Sequence, residues 1–113
     1  MIESYDFGRI IVDGIAYTRD LIIVGDKVES NWWRKDGHVL HISDLQEALS
    51  KFTPEAVIVG TGYFGMMEVP RDTREYFQTK GIQFLTEKTK KACELFNSLS
   101  KSKRTLAGLH LTC

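Results

Sequence analysis

Net charge is the first thing missing from this sequence: 15 Lys and Arg stand against 15 Asp and Glu. With no surplus of either sign, no global field draws the chain to nucleic acid or to an anionic membrane. Cysteine is scarce, with two in 113 residues, Cys93 and Cys113, and they form no close pair. That excludes a zinc-ligand pattern and a disulfide framework, and two lone thiols suit a reducing compartment. Apolar runs long enough for a membrane span are absent. The start, Met1-Ile2-Glu3-Ser4-Tyr5-Asp6, is acidic and lacks the basic-then-apolar profile of a signal peptide. These absences together predict a cytosolic protein. Proline is also rare, with only Pro54 and Pro70, so each marks a boundary. What is present is a globular composition of 42% hydrophobic and 27% charged residues, expected to fold as a single domain over residues 1–113. The charge is unevenly placed: residues 1–60 hold 6 basic against 10 acidic residues, and residues 61–113 hold 9 against 5.

The N-terminal third reads as β structure. Phe7 and Ile10-Ile11-Val12 lead into Asp13-Gly14, a pair suited to the two positive φ angles of a type I′ hairpin turn. A second strand is expected through Leu21-Ile22-Ile23-Val24, a type II′ turn at Gly25-Asp26, and a third strand from Lys27 to about Trp33. Ser43 and Gln46 have the spacing of a capping box, and Leu45, Ala48, Leu49 and Phe52 form one helical face that Pro54 ends. Ala56-Val57-Ile58-Val59 is a wholly apolar run, as in a strand covered on both faces.

Beyond it come the loop Gly60-Thr61-Gly62-Tyr63-Phe64-Gly65 and a helix opened by Pro70 and closed at Gly81, with Val69, Thr73, Tyr76 and Phe77 on one face. A strand from Ile82 to Leu85 follows. Thr86 is placed to cap a helix whose stripe is Ala92, Leu95, Phe96 and Leu99, and a last strand runs from about Arg104 to Leu111. The pattern predicts a three-layer α/β fold: an N-terminal β-meander followed by a βαβαβ unit, with a central mixed sheet.

Several runs occur in a telling order: Tyr5-Asp6-Phe7-Gly8, Asn31-Trp32-Trp33-Arg34, Val59-Gly60-Thr61-Gly62, Thr89 through Asn97, and His110-Leu111-Thr112-Cys113. Together they resemble a family of small proteins of largely unknown function. It includes the mammalian adipogenesis-associated domain protein and, more remotely, a mitochondrial complex I assembly factor. The resemblance covers nearly the whole chain. It implies a three-layer α/β fold on a central mixed sheet and brings no established catalytic residue with it.

The glycine-rich loop matches G-x-G-x-x-G, and Glu87 lies where a dinucleotide site places its ribose-binding acid. Three features oppose that reading. Residues 66–69 separate the motif from the helix, Pro70 removes an anion-binding N–H, and Glu68 with Asp72 puts negative charge at the helix start. No cofactor is therefore expected. A tight strand-end turn presenting Tyr63 and Phe64 is left, suited to an apolar ligand or a protein partner.

Trp32 and Trp33 are neighbours, so a strand points one inward and the other outward. The outward one, with Arg34, has the chemistry of an interface anchor. His110 and Cys113 invite a thiolate–imidazole reading. In an extended strand, however, they face opposite ways, and a terminal carboxylate on Cys113 raises its thiol. His110 is better suited to a hydrogen bond or a pocket wall. His38 and His41 lack further ligands, so no metal site is expected. The basic residues on and after the third helix, Lys88, Lys90, Lys91, Lys101, Lys103 and Arg104, lack interleaved aromatics, so nucleic acid is not expected as partner, and with no net charge and no apolar span neither is a membrane.

The leading expectation is a non-catalytic binding or assembly module. Its candidate residues are Trp33, Arg34, Thr61, Gly62, Tyr63, Phe64 and His110, its partner an unknown protein or small molecule, and self-association is open through an aromatic loop or a free sheet edge. The alternative is a small-molecule-binding protein or enzyme using the glycine-rich loop as its ligand site.

Overall fold

A computed structural model describes all residues, Met1–Cys113. The Asp13-Gly14 hairpin forms as expected, with φ of 50° and 80° at its two central residues. It joins β2 (Arg9–Val12) to β3 (Ile15–Tyr17), and β1 (Ile2–Asp6) lies on the other side of β2. These three short strands make a sheet of their own. The chain then crosses at Thr18–Asp20 into a second hairpin, β4 (Leu21–Val24) and β5 (Lys27–Ser30), which belongs to a larger sheet. The expected meander is thus five strands divided between two sheets. Its last strand stops at Ser30 and not at Trp33, because Asn31 takes a left-handed φ of 59°.

Ile42–Leu45 forms a 3₁₀ turn ahead of α1 (Gln46–Lys51). The start of this unit lies two residues before the expected Ser43: the Asp44 carboxylate reaches back to accept the His41 N–H at 2.9 Å. β6 (Ala56–Gly60), α2 (Arg71–Thr79), β7 (Gln83–Glu87), α3 (Thr89–Leu99) and β8 (Thr105–Leu109) complete the alternation. Pro70 stands just outside α2 with an extended ψ of 159°. Thr86 lies within β7, not at a helix cap. β8 pairs only as far as Leu109, leaving His110 and Leu111 outside the ladder.

The larger sheet has the order β5-β4-β8-β6-β7. β8 runs parallel to β6 and antiparallel to β4, so the sheet is mixed. Its two faces follow the period-two alternation of its strands. Ile22, Val57, Val59 and Leu106 point to one face and meet Leu45, Ala48 and Phe77 from the 3₁₀ turn, α1 and α2, with Leu40 and Met67 from the segments that precede the 3₁₀ turn and α2. Leu21, Ile23, Ile58, Ala107 and Leu109 point to the other and meet Ala92, Cys93 and Phe96 of α3 with Ile2, Ile10 and Val12 of the small sheet. The result is three layers: α1 and α2, the mixed sheet, then α3 beside the small sheet.

Candidate functional site

The chain converges on one end of the mixed sheet. β6 and β8 are parallel neighbours, and their carboxyl ends carry Gly60 and Leu109. Because β4 runs antiparallel to β8 and β5 antiparallel to β4, Asp20 before β4 and Arg34 beyond β5 reach the same end. There the three side chains meet. Arg34 Nη2 donates to Asp20 Oδ2 at 2.8 Å, and His110 Nδ1 lies 2.7 Å from the same oxygen. The other carboxylate oxygen of Asp20 accepts the Leu111 N–H at 2.7 Å. Arg34 also donates to the Gly37 carbonyl at 3.0 Å and stacks over the Trp32 ring, 4.7 Å from its centroid.

Burial pushes the Asp20 carboxyl up. The hydrogen bonds from His110, Leu111 and Arg34 and the charge of His110 more than offset this, leaving the group below the ordinary carboxylate range. Because the ionised Asp20 carboxylate can only accept, His110 Nδ1 is the donor of that bond.

The glycine-rich loop lies against this cluster and is not an open cradle. Thr61 N–H donates to Glu87 O, Tyr63 N–H to Thr112 O, Gly65 N–H to Gly62 O, Met66 N–H to Cys113 O, and Met67 N–H to Thr61 O. Gly62 N–H donates to Thr89 Oγ1 at 2.9 Å, and that hydroxyl donates onward to His110 O at 2.6 Å. The amides of Thr61, Gly62, Tyr63 and Gly65 are consumed within the chain, which removes the anion-binding feature a pyrophosphate needs. Gly62 has φ of 111°, and a Cβ there would collide with the Cys113 carbonyl and come within 2.9 Å of the His110 ring. Only glycine fits between loop and tail.

The loop's side chains point outward. Tyr63 is 42% and Phe64 60% exposed, and Phe7, 48% exposed, meets both rings, at 5.8 Å and 6.1 Å between centroids. Tyr5 joins from below, its ring 6.4 Å from Tyr63 and its hydroxyl donating to Leu111 O. Burial pushes that hydroxyl's pKa up to about 12, so it stays a donor. Met66 extends the exposed apolar surface along the chain.

The candidate residues therefore fall into three places. Arg34, Gly62 and His110 share the buried cluster, with Thr61 at its edge. Tyr63 and Phe64 form an exposed aromatic patch. Trp33 is the most exposed large apolar residue at 77%, on a groove of about 780 Å³ lined also by Trp32, Glu29, Asp44 and Glu47. Trp32 is the inward member of the pair: its indole N–H donates to Asp44 O, and its ring packs on Gly108, where a Cβ would lie 2.8 Å away. Arg34, expected to face outward beside Trp33, is buried by its pairing with Asp20. Sequence reasoning missed Asp20, Thr89 and Phe7. Asp20 is 90 positions from His110, and no local pattern links them.

Neither thiol has a catalytic setting. Cys93 is buried in α3, and burial, with Glu94 beside it, pushes its pKa up to about 12. Cys113 is exposed, and His110 is already engaged by Asp20. No three His, Cys, Asp or Glu side chains converge to hold a metal ion, and no helix is long and apolar enough to cross a membrane.

Fold and site together define a three-layer α/β domain whose sheet end is occupied by a buried Asp–His–Arg cluster under an aromatic loop. The chain belongs to the family described as "Protein of unknown function (DUF498/DUF598)", whose model matches residues 2–110. It is similar to a conserved hypothetical protein from Pyrococcus horikoshii OT3, with 26% identity and a TM-score of 0.84 over 100% of this chain and 99% of that one. The protein MT938 is also 26% identical, with a TM-score of 0.81 over 100% and 98%. An outer membrane protein from Bartonella henselae shares the fold, with 21% identity and a TM-score of 0.80 over 99% and 94%.

Proposed function

We propose that this protein is a non-catalytic, cytosolic binding or assembly module that engages a protein partner through Phe7, Tyr63 and Phe64. One observation carries the reading: three aromatic rings in mutual contact stand exposed on a loop whose backbone is locked to the rest of the fold. Rigid aromatic side chains lose little entropy on docking, which is why they recur as interface anchors. Trp33 is a second anchor on a separate groove, whose lining includes none of the three patch residues.

The test is the double substitution Phe7→Ser with Phe64→Ser. Both side chains are exposed, so stability should change by no more than about 0.5 kcal/mol each. Crosslinking and mass spectrometry in the native host should show partners of the wild type lost in the variant. Sedimentation should separate a foreign partner from a second copy of this chain. If the variant keeps every crosslink of the wild type, the patch is not the interface. A small-molecule role is favoured by a different observation: Arg34 Nε and Nη1 and His110 Nε2, all buried in the cluster, have no hydrogen-bond partner.

A further inference from the structure

A strand at the margin of a sheet is a template on which a further strand can add. Four strands of this fold lie at a margin: β1 and β3 of the small sheet, β5 and β7 of the mixed sheet. β1 is closed at its start, where the Asn97 side chain accepts the Ile2 N–H and donates to Ile2 O, both at 2.8 Å. Its charged residues, Glu3 and Asp6, are both acidic. β3 carries no charged residue, and β7 only Glu87. β5 alone has one charge of each sign, Lys27 and Glu29. They lie two apart and therefore on one face of the sheet.

The hydrogen-bonding phase of this edge follows from its neighbours. Gly25 N–H donates to Thr105 O at 3.1 Å, beside β8. By alternation Leu21 and Ile23 also bond toward β8, while Ile22 and Val24 bond toward β5. Asp20 O keeps the same phase, accepting Trp32 N–H beyond β5 at 2.8 Å. The partners of Ile22 and Val24 are Glu29 and Lys27, whose backbone groups are thus spent inside the sheet. Val28 and Ser30 turn their N–H and C=O to the open side. The side chains follow the opposite logic. Val28 packs with Ile23 against the core on the α3 side, whereas Lys27 and Glu29 stand on the α1 side with Val24 and Ile22.

We propose that β5 is a self-complementary edge through which two copies of this chain associate, antiparallel about a two-fold axis at Val28. In that register the two Val28 residues exchange both backbone hydrogen bonds. Lys27 of each copy then stands opposite Glu29 of the other as a non-hydrogen-bonded pair, the kind whose side chains lie closest. Symmetry makes the match twice. Both groups are free to make it. Lys27 takes part in no ion pair of the fold, and Glu29 has only Lys51 Nζ at 3.9 Å. A lone lysine on an edge strand repels its own kind, but Glu29 beside it converts that repulsion into recognition of a second copy. Trp33 stands exposed on the groove that Glu29 and Ser30 also line, so apolar surface continues along the same edge. Four residues of pairing fall short of the roughly 800 Å² per partner of a standard interface, so a weak, reversible dimer is expected, with Kd on the order of 100 µM. The pairing uses none of Phe7, Tyr63 or Phe64.

The experiment combines sedimentation equilibrium with nuclear magnetic resonance on the full chain, followed to about ten times the expected Kd. The Val28 and Ser30 amides should shift and gain exchange protection as concentration rises, while those of Lys27 and Glu29, already bonded to β4, change little. A half-labelled sample should show Hα of Lys27 in contact with Hα of Glu29 from the other copy. Lys27→Glu and Glu29→Lys should each weaken association about tenfold, since either one turns two attractive cross-strand pairs into two repulsive ones. An equimolar mixture of the two single variants should regain association as a heterodimer, and the double variant should regain it alone. Phe7→Ser with Phe64→Ser should leave the dimer unchanged, so failure here and failure of the aromatic patch are read separately. A monomer throughout the concentration range overturns the proposal. So does a dimer in which the Val28 amide does not respond, whether it forms through β7, β3 or the aromatic patch. Charge variants that associate like the wild type, or a mixture that stays as weak as its components, overturn it too. The wild-type resonances decide the matter even if a variant fails to fold.

Discussion

Asp20→Asn preserves the side chain's shape and removes its charge, leaving Arg34 buried beside a neutral amide. Breaking one partner out of a buried ion pair costs about 3 kcal/mol or more, and urea unfolding at neutral pH should show a loss of that size. The pH dependence has a definite sign. The folded-state pKa of Asp20 lies below its unfolded value, so its contribution is present above roughly pH 4 and is lost as pH falls through the folded value. The gap between wild type and Asp20→Asn should therefore narrow in acid and stay flat above neutrality. Cys93 gives an independent check on burial. A thiol-specific reagent should label Cys113 alone in the folded protein and both cysteines after unfolding. At this scale the sequence was only partly legible. His110, Arg34 and Gly62 stand out as residue types, but Asp20 is one aspartate among many, and its partners come from strands that only the finished sheet brings together.

Thr89 shows what an element start can carry. It is the first residue of α3, fully buried, and its hydroxyl both receives the Gly62 N–H and donates to His110 O. Thr89→Val keeps the volume and removes both bonds, so a loss of about 2 kcal/mol is expected. Hydrogen exchange at the Gly62 amide should accelerate more than exchange in the middle of α3. Gly62→Ala should be worse, on the order of 2–4 kcal/mol, since both its φ and the space beside it forbid a side chain; thermal unfolding reads this directly. Element existence was legible where periodicity was clean: α2, α3, β6 and both turn dipeptides appear where their residues place them. The meander was not. The apolar run marks Leu21–Val24 as a strand, but it does not set Ile15–Tyr17 apart as a strand of its own and carries no information on which sheet each strand joins. That is decided by the crossing at Thr18–Asp20, which brings the β4 edge of the second hairpin alongside β8.

At the scale of the whole molecule, the layered architecture followed from the sequence because both faces of β6 and β8 are apolar and such strands need cover on each side. The strand order did not follow, since nothing local in Thr105–Leu109 announces that it sits at the centre. Yet that position governs how the molecule comes into being. β4 and β6 are not neighbours; each leans on β8, and β8 follows both in the chain. While residues 1–104 emerge from a ribosome, the two hairpins and the β6-α2-β7 unit have no common partner, and their apolar edges stay open. The sheet is assembled only when its keystone strand arrives, so a nascent chain arrested before Thr105 should be protease-sensitive and one arrested well beyond Leu109 should be resistant.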